Sequence, residues 1–289
     1  MTTFVQSLIA GLSEGSIFAL MALGMVLVLR ATTILNFGHA VNFMAAPVLV
    51  LFMTKAGIPL LVASAIALVA VFVLGLVIER VTIQPLFNAE HLPQVFATVA
   101  VLFIGEGVVR SLVAVPQRVP PMMGDTVLRV GGVALNPQYL LSIAVLVVCL
   151  IALVVVFQRT STGRVLRATT ESVRGASLVG INTKRVFLIT WAVAAVLGAV
   201  AGLLAAPVYL VSADMGARAA NMAFVGMALG GFGSIPGAVL GSLLVGVTNV
   251  LASTYVSTTL GDGAGFLLIM LVLLVRPQGI LGTPSGARA

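Results

Sequence analysis

The sequence has very little charge. Only 8% of its 289 residues are Asp, Glu, Lys or Arg, against roughly 25% in an ordinary soluble domain. So few charges cannot clothe a water-facing surface, and with 60% of residues hydrophobic the solvent must be lipid. Cysteine is all but missing. The one copy, Cys149, sits in an apolar run, which excludes an intrachain disulfide or a cysteine metal cluster and leaves packing as its role. No His/Glu/Asp cluster stands at metal-ligand spacing, and no serine or cysteine has a plausible base beside it, so nothing points to an enzyme. No Gly-Lys-Ser/Thr follows any glycine-rich stretch, so there is no phosphate loop and no cofactor site of that kind. The excess of fifteen basic over eight acidic residues comes without a soluble basic domain carrying interleaved aromatics, which argues against nucleic acid as a partner.

What is present is a series of long uncharged runs: 56–78, 130–158, 186–213 and 219–261. A spanning helix needs about 20 apolar residues, so the last run is long enough for two passes or a re-entrant turn. Barrel strands would alternate in segments of about ten residues, and these unbroken runs do not. The expected fold is all-α: a polytopic transmembrane helix bundle forming a single domain over 1–289. Its segments are 4–29, 37–54, 59–80, 93–112, 137–158, 186–210, 219–234, 237–256 and 263–276. Segments 37–54 and 219–234 are short and interrupted by glycine or proline, so the expected number of spans is eight to nine. The first stretch is too long for a signal h-region and has no small-residue cleavage site after it, so it reads as a retained helix.

Basic residues orient the bundle. Arg159, Arg164, Arg167, Arg174, Lys184 and Arg185 share one connection, which is placed in the cytoplasm. Alternation puts Arg30, Arg80, Arg276 and Arg288 on the same side and Lys55, Arg110, Arg118, Arg129 and Arg218 outside. That leaves ten basic residues inside and five outside. With nine crossings the N-terminus is outside and the C-terminus inside. The external loop 113–136, with Arg118, Asp125 and Arg129, is either a docking surface for a soluble protein or a solvated connection.

The connection 158–185 reads QRTSTGRVLRATTESVRGASLVGINTKR. Its pattern predicts a short amphipathic helix: Val165, Leu166, Ala168 and Thr169 on one side, then Ala176, Leu178 and Val179 after a turn. Gly163 and Gly180 mark its ends, and Thr160, Ser161 and Thr162 are N-cap candidates. Physics alone allows two uses, lying on anionic lipid or docking in a groove of a soluble partner.

This loop resembles the coupling loop of permeases in the branched-chain amino acid ABC transporter family. That family carries T-x-x-G-R-x-x-R-A followed by A-x-x-x-G-I-N. Here Thr160, Gly163, Arg164, Arg167 and Ala168 are followed by Ala176, Gly180, Ile181 and Asn182. Where importers of this class often have Glu-Ala-Ala before the glycine, this chain has Arg174-Gly175-Ala176, which leaves Glu171 as the nearby acid. Further similarities are GSIFALMALGMVLV from Gly15, ILNFGHAVNFMAA from Ile34, GMALGGFGSIPGAVLGSLLVG from Gly226, and the ending Arg276-Pro277-Gln278-Gly279-Ile280-Leu281-Gly282. The resemblance implies one half of an importer pore in a bacterial inner membrane, carrying branched-chain or related amino acids, or urea or short amides. Implied partners are a paralogous permease subunit, two ATP-binding subunits that hold the ATP, a substrate-binding protein, and membrane lipid. This chain itself would need no cofactor. The implied ATPase-coupling residues are Gly163, Arg164, Arg167, Ala168, Glu171, Arg174, Ala176 and Gly180.

Candidates for the translocation path are polar or small residues at membrane depth. Asn36, His39 and Asn42 fall near one helix face and serve either a hydrated path or interhelical hydrogen bonding. Glu14 has no cation near it in sequence and is either a transport residue or an interfacial one. The glycines from Gly226 to Gly246 recur at spacings of four, which permits close helix packing. Gly231, Gly233 and Ser234 sit at a break, which alternatively reads as a broken pore-lining helix. Glu106 precedes Arg110 by one turn, the favourable order for a helical ion pair, and Asp214 and Arg218 have the same spacing. The competing function is a proton-coupled secondary transporter with Glu14, Glu106 or His39 as relay. It would need no ATPase and would fail when the proton gradient collapses.

Overall fold

The helices meet where side chains are small. In the computed structural model, which describes residues 2–86, 89, 91–124, 126–130 and 133–282, helix α1 (Thr2–Thr32) is the central column. Every residue from Gly15 to Val28 is buried. At 1.5 Å per residue α1 is about 46 Å long, and it packs on α5, α8, α9 and α10. Its approach to α10 is backbone on backbone. A methyl group on Gly246 would lie 2.2 Å from the Gly15 nitrogen. The same closeness joins α9 to α10, where a methyl on Gly230 would lie 1.8 Å from the Gly237 carbonyl oxygen. The glycine-rich stretch therefore sits as packing surface on α9 and α10. Asp125 and Arg288 lie outside the described residues.

The remaining elements follow in order. Helix α2 is His39–Lys55. Helix α3, Leu60–Ile78, runs on through a π-helical turn, Glu79–Ile83, and a tight 3₁₀ turn, Gln84–Leu86. Helix α4 is His91–Leu112. A two-stranded antiparallel hairpin, β1 (Leu128–Val130) and β2 (Val133–Leu135), precedes α5, Pro137–Arg159. Two short helices, α6 (Ser161–Glu171) and α7 (Val173–Leu178), lead to α8, Thr183–Tyr209. The chain closes with α9 (Met215–Gly230), α10 (Ile235–Tyr255) and α11 (Thr258–Val275). All nine apolar segments read from the sequence are thus helices. Among the described residues, six helical segments are long and apolar enough to cross a bilayer: α1, α3 with its extension, the Leu92–Leu112 stretch of α4, α5, α8 and α10. Helix α2 and the Gly263–Val275 part of α11 are shorter apolar helices. Helix α9 has 16 residues, about 24 Å.

Helix α2 starts inside the bundle. The residues before it, 33–38, are not helical. Backbone without internal hydrogen bonds survives at membrane depth only where protein satisfies it. Thr98 on α4 does so here: its hydroxyl is 3.2 Å from the Phe37 N–H and 3.2 Å from the Leu35 carbonyl. α1 and α8 form the interior, with 83% and 72% of their apolar windows buried, whereas α4 and α5 bury 17% each and face outward.

The two ends of the bundle differ. At one end the Lys55 ammonium bonds the Gln117 side chain, Gln117 bridges to Val211 through paired backbone hydrogen bonds of 2.7 and 3.1 Å, and Arg110 meets Asp214. At the other end the Arg30 guanidinium donates to the Gly233 carbonyl. There the C-terminal segment turns back onto α9: Ile280 N–H bonds the Leu229 carbonyl at 2.8 Å and Leu281 N–H bonds that of Gly230 at 2.9 Å. The ending from Arg276 to Gly282 thereby satisfies carbonyls that a helix C-terminus leaves open.

Candidate functional site

Three groups of polar residues stand out against the apolar bundle. The first is a cavity of about 260 Å³ near the Asp214 end. Helix α1 supplies Glu14, Ile17 and Phe18, α2 supplies Phe43, the end of α8 supplies Tyr209, and α9 supplies Met215, Arg218 and Ala219. The Tyr209 hydroxyl donates to the Glu14 carboxylate, and Arg218 lies close enough to act on Tyr209 electrostatically. A second cavity of about 200 Å³ continues on the other side of Glu14 and Tyr209, toward Ser13 and Tyr139. The backbone beside Tyr209 is strained: Leu210 has φ 61° and ψ 145°, a region that is otherwise nearly confined to glycine. Val211, held by Gln117, and Asp214, held by Arg110, pin the segment that follows.

Asp214 was paired with Arg218 by sequence spacing, and Arg110 with Glu106. The structure instead joins Arg110 to Asp214 at 2.9 Å, from the end of α4 to the start of α9. Both side chains are well exposed, so the pair contributes at most about 1 kcal/mol.

The second group is Asn36, His39 and Asn42. They are 2%, 0% and 3% exposed. Asn36 lies ahead of α2, so only His39 and Asn42 share its helical face. The His39 ring fits into space left by two glycines: a methyl on Gly24 would lie 2.4 Å from Nε2, and one on Gly198 would lie 2.9 Å from Cε1. The Asn36 and Asn42 amide oxygens and both imidazole nitrogens lack a partner in hydrogen-bond geometry, although the Met21 carbonyl lies toward the ring.

The third group is the connection 158–185. The sequence predicts one amphipathic helix, and the structure has two, separated by Ser172. Each begins on a side-chain cap: Thr160 Oγ1 accepts from Gly163 N–H at 3.1 Å and Ser172 Oγ from Gly175 N–H at 2.9 Å. Leu166, Thr169 and Ala176 are buried and Ala168 half-buried, while Arg164, Arg167, Glu171 and Arg174 are exposed. Gly163 lies in the first turn of α6, where a methyl would sit 2.3 Å from the Val156 carbonyl oxygen, so glycine permits the close return onto α5. Gly180 does end α7, with φ 86°. Just before it Leu178 and Val179 are 81% and 75% exposed. A groove of about 500 Å³ runs between α6 and the start of α8.

Gly231, Gly233 and Ser234 form the turn between α9 and α10. Gly231 and Gly233 have φ 105° and 80°, and Ser234 caps α10 by accepting from Gly237 N–H at 3.1 Å. This turn is at the Arg30 end, far along α10 from Glu14. The structure therefore does not gather the sequence-derived path residues into one place.

A family model described as the branched-chain amino acid transport system / permease component matches residues 7–275. The chain belongs to this family. It is 32% identical to the high-affinity branched-chain amino acid transport system permease protein LivH of Escherichia coli K12, covering 98% of this chain and 96% of that one. To BraD of Pseudomonas aeruginosa, named for the same system, it is 32% identical over 98% and 97% of the two chains. A Methanocaldococcus jannaschii protein named as a probable permease of this kind is 25% identical over 92% and 89%. Among solved structures, PsaBC from Streptococcus pneumoniae in complex with Fab superposes with a TM-score of 0.52 over 94% of this chain and 91% of that one, at 11% identity. That likeness is one of fold. The permease is thus a multi-pass membrane transport protein of a family that is not an enzyme class.

Tyr209, Thr98 and Glu79 carry no local signal that marks them in the sequence. Tyr209 was hidden at the end of an apolar run, two residues after Pro207. Thr98 looked like an ordinary helix residue. Glu79 is 2% exposed in a π-helical turn with one carboxylate oxygen unpartnered.

Proposed function

We propose that the permease forms half of the translocation path of an ABC importer for branched-chain or related amino acids in the bacterial inner membrane. A paralogous permease supplies the other half, two ATP-binding subunits drive it, and a binding protein delivers substrate outside. Helices α2, α9 and α11 complete eight to nine crossings, with the 158–185 loop in the cytoplasm. The ten basic residues that fall on that side support this sidedness.

The observation that carries the reading is the tip of α7. Leu178 and Val179 project from a capped, basic loop, the form of an apolar anchor for a groove in a partner. Arg164, Arg167, Glu171 and Arg174 flank it as exposed charges, while Gly163, Ala168 and Ala176 let the loop seat on the bundle. ATP-driven movement of the partners then shifts α6, α7 and the start of α8 together. Asn36, His39, Asn42 and Glu14, with Gly231, Gly233 and Ser234 at the inner turn, mark the route along α1 that opens in turn to each side.

The test uses the assembled importer in vesicles. Leu178→Asp with Val179→Asp is expected to abolish stimulation of ATP hydrolysis by loaded binding protein and to leave the permease folded. Retained stimulation would assign the loop another role.

A further inference from the structure

The cavity at Glu14 combines an acid, a base and an apolar wall. The acid comes from mid-α1 and the base from the first turns of α9, so a small solute between them meets opposite charges from two helices. The α9 N-terminus adds positive potential on the Arg218 side. Ile17, Phe18, Phe43, Met215 and Ala219 form the apolar wall, and Tyr209, Ser212 and Asp214 complete the lining, Asp214 being held by Arg110. At about 260 Å³ the space falls just below the roughly 300–1,000 Å³ of drug-sized sites, the scale of one small metabolite. The strained Leu210 backbone fixes Tyr209 at this spot, and such strain gathers where a ligand is clamped.

We propose that this cavity is a zwitterion subsite: Arg218 receives the carboxylate of an α-amino acid, Glu14, oriented by Tyr209, receives the ammonium, and the apolar wall takes an uncharged side chain. Recognition at both ends selects amino acids with aliphatic side chains over urea and short amides, which carry neither charge. The subsite lies in the permease itself, so selection does not rest with a binding protein alone. Glu14 and Arg218 have contacts in the ligand-free chain, and the substrate exchanges with these.

This inference rests on the importer reading, and two measurements separate them. ATP hydrolysis by the assembled importer reports the importer role. Radiolabelled leucine binding to the full-length permease in lipid nanodiscs reports the subsite. Unlabelled leucine is expected to displace the label, while 3-methylbutylamine, 4-methylpentanoate and urea are not. Loss of one charge-assisted bond is expected to weaken leucine binding by roughly 10- to 100-fold in Arg218→Gln and in Glu14→Gln, with Arg218→Lys and Tyr209→Phe intermediate. Arg218→Lys keeps a charge where Arg218→Gln fails to fold, and the wild-type competition profile needs no variant. The proposal is overturned by no leucine binding to the wild-type chain, by leucine binding unchanged in folded charge variants, or by equal competition from the amine, the acid or urea. Leucine binding without ATPase coupling would keep the subsite and remove the importer reading.

Discussion

Glu14 and Gly24 are ten residues apart on α1, about 15 Å along one helix, yet they stand in opposite surroundings. Around Glu14 the neighbours are Tyr209 and Arg218, there is open volume, and the rim carries the exposed Arg110–Asp214 pair. Around Gly24 the neighbour is the fully buried His39 ring, packed against two glycines with its nitrogens unpartnered. Polarity at membrane depth is therefore two things in one protein. At the first place charges face a space that a solute can enter. At the second, neutral polar groups are held in solid packing, where each orphaned atom costs about 1–3 kcal/mol. A cost of that size calls for an explanation in a native structure.

Several substitutions sharpen or break this contrast. The largest effect is expected from Gly24→Leu, which drives a side chain into the His39 ring. Overpacking of a dense interior costs about 1–3 kcal/mol or more, and clash at both ring and backbone puts this change at the upper end. Yield of monodisperse protein is expected to collapse, and normal yield would mean that the inner cluster is looser than described. Thr98→Val is next. It strips the partner from the Phe37 N–H and is expected to lower unfolding stability by about 1–3 kcal/mol, read by thermal melting in detergent. His39→Leu reverses the usual sign, because replacing an unpartnered buried polar group by an apolar one is neutral or stabilising. The melting temperature is expected to hold or rise while transport falls. Retained transport would make His39 a packing residue and leave the outer cavity as the only polar station of the two. Asp214→Asn is the smallest, at most about 1 kcal/mol, and a larger loss would show that the rim pair anchors the α8–α9 segment.

Much of this was readable in advance for a physical reason. Low charge forced a lipid solvent, lipid forced helices, and all nine apolar segments are helices within a few residues of their expected bounds. The cap at Thr160 and the Gly180 stop are local chemistry and were legible as such. Pairings between distant residues were not. Arg110 skipped Glu106 for Asp214 because the end of α4 comes beside the start of α9, and nothing in either segment says so. Asn36 left the face it shares with His39 on paper because the chain is not helical until His39, inside the bundle, with Thr98 serving its backbone.

From residues alone came the solvent, the helices and the exposed loop that resembles a coupling element. Each depends on composition or on neighbours within a turn or two. Tertiary structure alone decided which polar residues share a space. Glu14 on α1 is far in sequence from Tyr209 and Arg218, which stand at the adjoining ends of α8 and α9, and it meets them because glycines let α1 sink among α8, α9 and α10. Proximity of that kind is a property of packing, and helix packing in a membrane is governed by the shape of small residues rather than by the hydrophobic signal that made the helices visible.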